Sequence, residues 1–157
     1  MIELDGHNLT PQLAEQVILG GEEVKASPEA LARVERGHQV LLELVAGGGA
    51  IYGVNTGFGK LSTVVIPEEE YGSIQENIIR SHATGVGPPL SDEAVRGMLL
   101  LRANSLLSGL SGVRPALVEL LLGMLNAGVY PVVPEQGSVG ASGDLVPLAH
   151  LSLVLLG

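Results

Sequence analysis

Ser27-Pro28-Glu29-Ala30-Leu31-Ala32-Arg33-Val34-Glu35-Arg36-Gly37-His38-Gln39-Val40-Leu41-Leu42-Glu43-Leu44-Val45-Ala46-Gly47-Gly48-Gly49 reads as one complete helix with its own start and stop. Ser27 is a preferred N-cap, and Pro28 suits the first turn, where a missing N–H leaves no bond unmade. Leu31, Val34, His38, Leu41 and Val45 then recur at helical spacing, and the triple glycine ends the run. His38 lies in this apolar stripe, which assigns it a structural role.

The same punctuation recurs on both sides. Thr10-Pro11 opens a short helix whose inner face is marked by Leu13 and Val17, and Gly20-Gly21 closes it. Downstream, Pro67 followed by Glu68, Glu69 and Glu70 is expected to begin a helix carrying Tyr71, Ile74 and Ile78 inward towards Ser81-His82. After the Gly85-Val86-Gly87-Pro88-Pro89 break, Ser91-Asp92-Glu93 caps a helix running through Leu99, Asn104 and Leu107 to about Gly109. Another covers Pro115 to Ala127 with Gly128 as its stop, and a last one begins near Asp144. No alternating strand pattern or internal repeat competes, although Val64-Val65-Ile66 and Val132-Val133 fit short extended pieces. The expected fold is mainly α, several helices joined by Gly- and Pro-rich loops.

The chain has 157 residues, the size of one domain or part of one. Apolar residues make up 46% and charged residues 16%, so much of the apolar surface is expected to meet another surface. A formal charge of -9 argues against a nucleic-acid or anionic-membrane partner and favours a small-molecule substrate. There is no cysteine, which removes disulfides, thiolate chemistry and cysteine-based metal sites and is compatible with the reducing cytoplasm. The acidic start Met1-Ile2-Glu3-Leu4-Asp5 lacks the basic and apolar regions of a signal peptide. The uncharged stretch over residues 145–157, interrupted by Pro147 and His150, is too short for a membrane span and reads as a buried helix cut short.

Two glycine-rich segments depart from this helical background. Tyr52-Gly53-Val54-Asn55-Thr56-Gly57-Phe58-Gly59 lacks the spacing of a phosphate-binding loop and is expected to be an ordered loop. Gly140-Ala141-Ser142-Gly143-Asp144-Leu145 holds a tripeptide with a chemistry of its own. The Gly143 amide nitrogen can attack the Ala141 carbonyl carbon and close a five-membered ring with loss of one water, and loss of a second water turns Ser142 into an exocyclic methylene. Glycine at the attacking position permits the tight bend. A hydrolase nucleophile is a poorer reading, because this spacing breaks the strand-borne Gly-x-Ser-x-Gly elbow. His7, His38, His82 and His150 have no close metal-ligand spacing, so no metal site is expected.

Taken together, Tyr52 to Gly59, then Ser81-His82, then Gly137-Ser138-Val139-Gly140-Ala141-Ser142-Gly143-Asp144-Leu145-Val146-Pro147-Leu148-Ala149-His150, resemble the amino-terminal part of the aromatic amino acid ammonia-lyases, their histidine-specific members above all. The resemblance implies the helical fold of the fumarase/aspartase-like superfamily. It makes residues 1–157 an amino-terminal domain truncated near the start of the helix that follows Ala-Ser-Gly.

It also implies that Ala141, Ser142 and Gly143 form a 4-methylidene-imidazol-5-one (MIO) electrophile autocatalytically, with no dissociable cofactor. Tyr52 would then remove the substrate's β-proton, which asks its surroundings to stabilise phenolate. Ser81 and His82 would select an imidazole ring, and Asn104 resembles a position near the active centre. The implied reaction is elimination of ammonia from L-histidine to trans-urocanate in a cytoplasmic homotetramer. The alternatives are a tyrosine or phenylalanine ammonia-lyase, an aminomutase, or a helical assembly module inactive by itself.

Overall fold

The computed structural model describes residues 1–141 and 143–156. Their elements follow in the order β1 (Ile2–Leu4), α1 (Pro11–Ile18), β2 (Val24–Ala26), α2 (Pro28–Ala46), α3 (Tyr71–His82), β3 (Val86–Pro89), α4 (Asp92–Leu106), α5 (Pro115–Ala127), β4 (Pro134–Gln136) and α6 (Leu145–Leu153). Contacts divide the chain into two compact units, each assembled from two separated stretches of sequence.

The first unit comprises Met1–Glu43 and Ser91–Tyr130. Its helices start where the sequence places them. The Thr10 hydroxyl accepts from Leu13 N–H at 3.2 Å, Ser27 from Ala30 N–H at 3.1 Å, and Ser91 from Ala94 N–H at 3.3 Å. Each satisfies a first-turn amide that the helix itself leaves open. Gly128 closes α5 in the left-handed conformation, φ 68°. The expected inner face of α1 is confirmed by buried Val17 and half-buried Leu13.

Leu99, Leu100, Ala103 and Leu106 of α4 pack with Val118, Leu121 and Leu125 of α5 in a core to which β1 and β2 add Leu4 and Val24. α2 is held against the turn after α4 by polar contacts. Arg33 donates to the carbonyls of Asp5 and Leu107, and the His38 Nδ1–H donates to Gly112 O at 2.8 Å. His38 is thus structural, as its stripe implies. Gly37 is required here, because a Cβ at that position would stand 2.1 Å from Gly109 O.

The second unit comprises Leu44–Leu90 and the chain from Pro131 onward. α3 packs on α6, and β3 pairs antiparallel with β4, Val86 opposite Gln136 and Pro89 opposite Pro134. Leu151 of α6 is only 2% exposed, so the apolar tail is partly internal to this unit.

Several elements differ from the sequence expectation. β1 and β2 form a parallel pair in register Ile2–Val24, Glu3–Lys25 and Leu4–Ala26, and the Gly87-Pro88-Pro89 break is itself strand β3. Strands of three or four residues are too short to display alternation, and their pairing partners are remote in sequence. The Val64 to Ile66 piece contributes only an isolated Thr56–Val65 bridge. Glu68–Glu70 form a 3-10 turn, and the α-helix starts at Tyr71.

Candidate active site

Tyr52, Ser81, His82, Ala141 and Gly143 all belong to the second unit, whereas Asn104 lies on α4 in the first. Ser142, the residue expected to become the methylene, lies outside the described residues.

The glycine-rich loop is organised around a residue the sequence reading passed over. Asn55 is 1% exposed, and its side chain accepts from Ile51 N–H at 2.7 Å while donating to Gly49 O at 2.8 Å. Its own carbonyl accepts from Ile66 N–H at 2.9 Å. These bonds bracket Tyr52, closing the loop beneath it while leaving its phenol ring out. Tyr52 is 64% exposed and meets Phe58 edge-on, centroids 5.6 Å apart. The Gln75 side-chain amide of α3 donates to Gly53 O at 3.1 Å, tethering the loop to the helix that ends in Ser81-His82. A buried asparagine inside Tyr-Gly-Val-Asn is the signal that would have found this clamp, since Asn readily substitutes for backbone partners in turns.

At the end of α3, the His82 Nδ1–H donates to Ile78 O at 2.9 Å, with the Ser81 hydroxyl 3.1 Å from the same nitrogen. Ser81 Oγ also donates to Ile78 O at 3.0 Å. The carbonyl fixes the tautomer of the neutral imidazole, because it can only accept, so the proton sits on Nδ1 and Nε2 keeps its lone pair. A second conformational restraint follows at once. Ala83 has φ -76° and ψ 62°, with Thr84 N–H donating to His82 O at 2.8 Å, an inverse γ-turn.

Before α6 the backbone bends sharply. Ala141, Gly143 and Asp144 have φ values of 60°, 77° and 52°, so left-handed residues stand on both sides of position 142. For alanine and aspartate this conformation costs about 1–2 kcal/mol relative to the right-handed one, and such outliers concentrate at functional sites. The Ser138 hydroxyl donates to the Asp144 carboxylate across the segment. Asp144 O then accepts from Leu148 N–H at 3.1 Å as α6 begins, as expected.

Asn104 is half-buried, and its Oδ1 is buried without a hydrogen-bond partner. Among the described residues no cluster of three or more His, Asp or Glu side chains is arranged to hold a metal, and no helix is long and apolar enough to cross a membrane.

Residues 9–157 match the family described as aromatic amino acid lyase. The chain belongs to that family. It is 50% identical over all 157 residues to a histidine ammonia-lyase of Bacillus cereus. Among solved structures it resembles ergothionase from Treponema denticola, an ergothioneine-degrading enzyme, with TM-score 0.95, 33% identity, and coverage of 99% of this chain and 31% of that one. It also resembles histidine ammonia-lyase from Trypanosoma cruzi, with TM-score 0.88, 41% identity, and coverage of 99% and 29%. The chain spans about a third of the length of the curated relatives it matches, 31% in the Bacillus cereus case.

Proposed function

We propose that this chain supplies the electrophile-forming and ring-selecting portion of a histidine ammonia-lyase, which eliminates ammonia from L-histidine to give trans-urocanate. The observation that carries the reading is the left-handed backbone at Ala141, Gly143 and Asp144 around position 142. Cyclisation of Ala-Ser-Gly joins the Gly143 nitrogen to the Ala141 carbonyl carbon, and left-handed residues on both sides mark a segment held in a costly backbone conformation, as functional segments often are. Gly143 also has open space where a Cβ would stand, so nothing crowds its Cα. The segment therefore fits an MIO group formed from Ala141, Ser142 and Gly143. Once formed, that group would offer the substrate a carbon electrophile and ease departure of its nitrogen, dividing one hard elimination into easier steps.

The remaining roles fall to side chains of the same unit. Tyr52, exposed on a loop clamped by Asn55, would take the β-proton. His82 would offer its Nε2 lone pair to a ring N–H of an imidazole substrate, since its Nδ1–H is already committed to Ile78 O. A phenyl ring has no donor to offer that lone pair, which favours histidine over phenylalanine. Identity of 50% to a histidine ammonia-lyase supports the same choice. In this reading the functional protein is a cytoplasmic homo-oligomer in which other segments complete the site around the amino acid.

Intact mass and product spectra test the proposal. The chain, placed in the corresponding segment of the Bacillus cereus enzyme, is expected to weigh two waters less than its sequence and to release urocanate from L-histidine. An unmodified mass, or cinnamate or coumarate in place of urocanate, would reject it.

A further inference from the structure

We infer that His150 is a positioning residue for the ring-selecting pair Ser81-His82, acting through the backbone of Gly85. The inference rests on the proposed role of His82. His150 lies on α6, six residues after the left-handed segment ends at Asp144. Its Nε2 accepts from Gly85 N–H at 2.9 Å, a contact across 65 residues of sequence. Because an amide N–H can only donate, this bond requires the lone pair on Nε2 and the proton on Nδ1.

The chain between His82 and Gly85 has little freedom to absorb a displacement. Ala83 N–H donates to Ile79 O at 3.0 Å and Thr84 N–H to His82 O at 2.8 Å, so the helix end and the γ-turn occupy both intervening amides. Gly85 is the next amide, and His150 takes it. The site is also sterically tight. A Cβ on Gly85 would stand 3.1 Å from His150 Nε2, 3.2 Å from Pro134 Cβ and 3.3 Å from Gln136 O. On the other flank, a Cβ on Gly137 would meet Val146 Cγ1 at 2.5 Å and Gly85 Cα at 3.3 Å. Gly85, β4 and α6 thus meet in a tight junction, and the imidazole supplies its directional bond.

This junction joins the two parts of the proposed site. α6 follows directly from the electrophile-forming segment, and Gly85 follows three residues after His82. One hydrogen bond therefore references the substrate-ring group to the helix that follows the electrophile-forming segment. Catalytic groups displaced by about 1 Å lose on the order of a hundredfold in rate, so such a reference is worth preserving. His150 touches neither substrate nor electrophile in this scheme.

The test compares His150→Leu, which removes the acceptor, with His150→Gln, whose side-chain oxygen can replace it. In the whole chain, hydrogen exchange at the Gly85 amide is expected to accelerate in the Leu variant and to remain slow in the Gln variant, while nitrogen NMR of the unaltered chain reports a His150 proton on Nδ1. In the Bacillus cereus chimera, the Leu variant is expected to mature to the same mass as the parent. Its KM for L-histidine should rise about tenfold, the scale of one lost hydrogen bond, with a smaller change in kcat, and the Gln variant should recover most of the loss. Equal Gly85 exchange in all three proteins, or equal KM in the Leu and Gln variants, would overturn the inference. A parent chimera that makes no urocanate would instead reject the histidine ammonia-lyase reading, and the exchange and NMR results would still decide whether His150 holds Gly85.

Discussion

The two units of this chain divide the labour between stability and chemistry. The first holds nearly all the buried apolar side chains, including Leu99, Leu100, Leu106, Leu107, Leu121 and Leu125, and its helices begin at ordinary caps. The second contributes Val133, Ala149 and Leu151 to the buried apolar residues among those described, yet it carries Tyr52, the Ser81-His82 pair and the left-handed residues Ala141, Gly143 and Asp144. Its order comes from directional bonds instead: Asn55 closing the tyrosine loop, Gln75 tethering it, and His150 holding Gly85. A large core tolerates no holes, whereas a small one stiffened by hydrogen bonds leaves side chains free for chemistry.

The sharpest way to break this comparison is a substitution that separates activity from stability. Tyr52→Phe in the chimera is expected to lower kcat by about 10²–10⁴-fold, the range for loss of a general base, without moving the denaturation midpoint, because the phenol projects into solvent. A shift in midpoint comparable with that of a core truncation would erase the distinction. The converse is Leu99→Ala, expected to destabilise the chain by about 2–5 kcal/mol in denaturant unfolding while leaving the mass loss of two waters intact in the molecules that remain folded.

Smaller effects sharpen the picture within the first unit. Asn126 uses both ends of its amide on one residue, accepting from Val24 N–H at 2.9 Å and donating to Val24 O at 2.8 Å. Asn126→Ala should cost about 1 kcal/mol and raise hydrogen exchange at Val24. The smallest expected effect is at Asp5, whose carboxylate is held below its usual range by the backbone N–H groups of His7 and Asn8, each at 2.8 Å. Because folding lowers this group, its contribution is present above the ordinary aspartate range and disappears as pH falls through the depressed value. Asp5→Asn should therefore slightly flatten the acid limb of a stability–pH curve and leave the alkaline limb unchanged.

The same contrast explains what the sequence made legible. Caps at Thr10, Ser27 and Ser91, the glycine stop at 128, and the apolar stripe of α2 are local signals, and the structure has helices where they stand. Family membership was legible too, through the Tyr52 loop and the segment from Gly137 to His150. The four short strands were not, since Leu4 and Ala26, or Val86 and Gln136, become partners only when distant stretches meet. Asn55 and His150 were visible as letters within recognised motifs, but their bonds to Gly49 and Gly85 depend on backbone that no pattern rule addresses. The strain at Ala141 was hidden for a different reason: alanine does not advertise a left-handed backbone as glycine does, and aspartate at position 144 does so only weakly.

The Asn126 clasp on Val24 also has a bearing on how the chain comes into being. It joins positions 102 residues apart, and the first unit as a whole is interrupted by nearly fifty residues of the second. During synthesis β1, α1 and β2 emerge first, but the helices that cover them arrive only after the tyrosine loop and α3 have been made. The early segment must wait, its apolar face unburied, for a partner still being translated. Assembly of this region is accordingly a late, long-range event, and slowing elongation between residues 44 and 90 should lengthen the interval in which the nascent chain depends on chaperones.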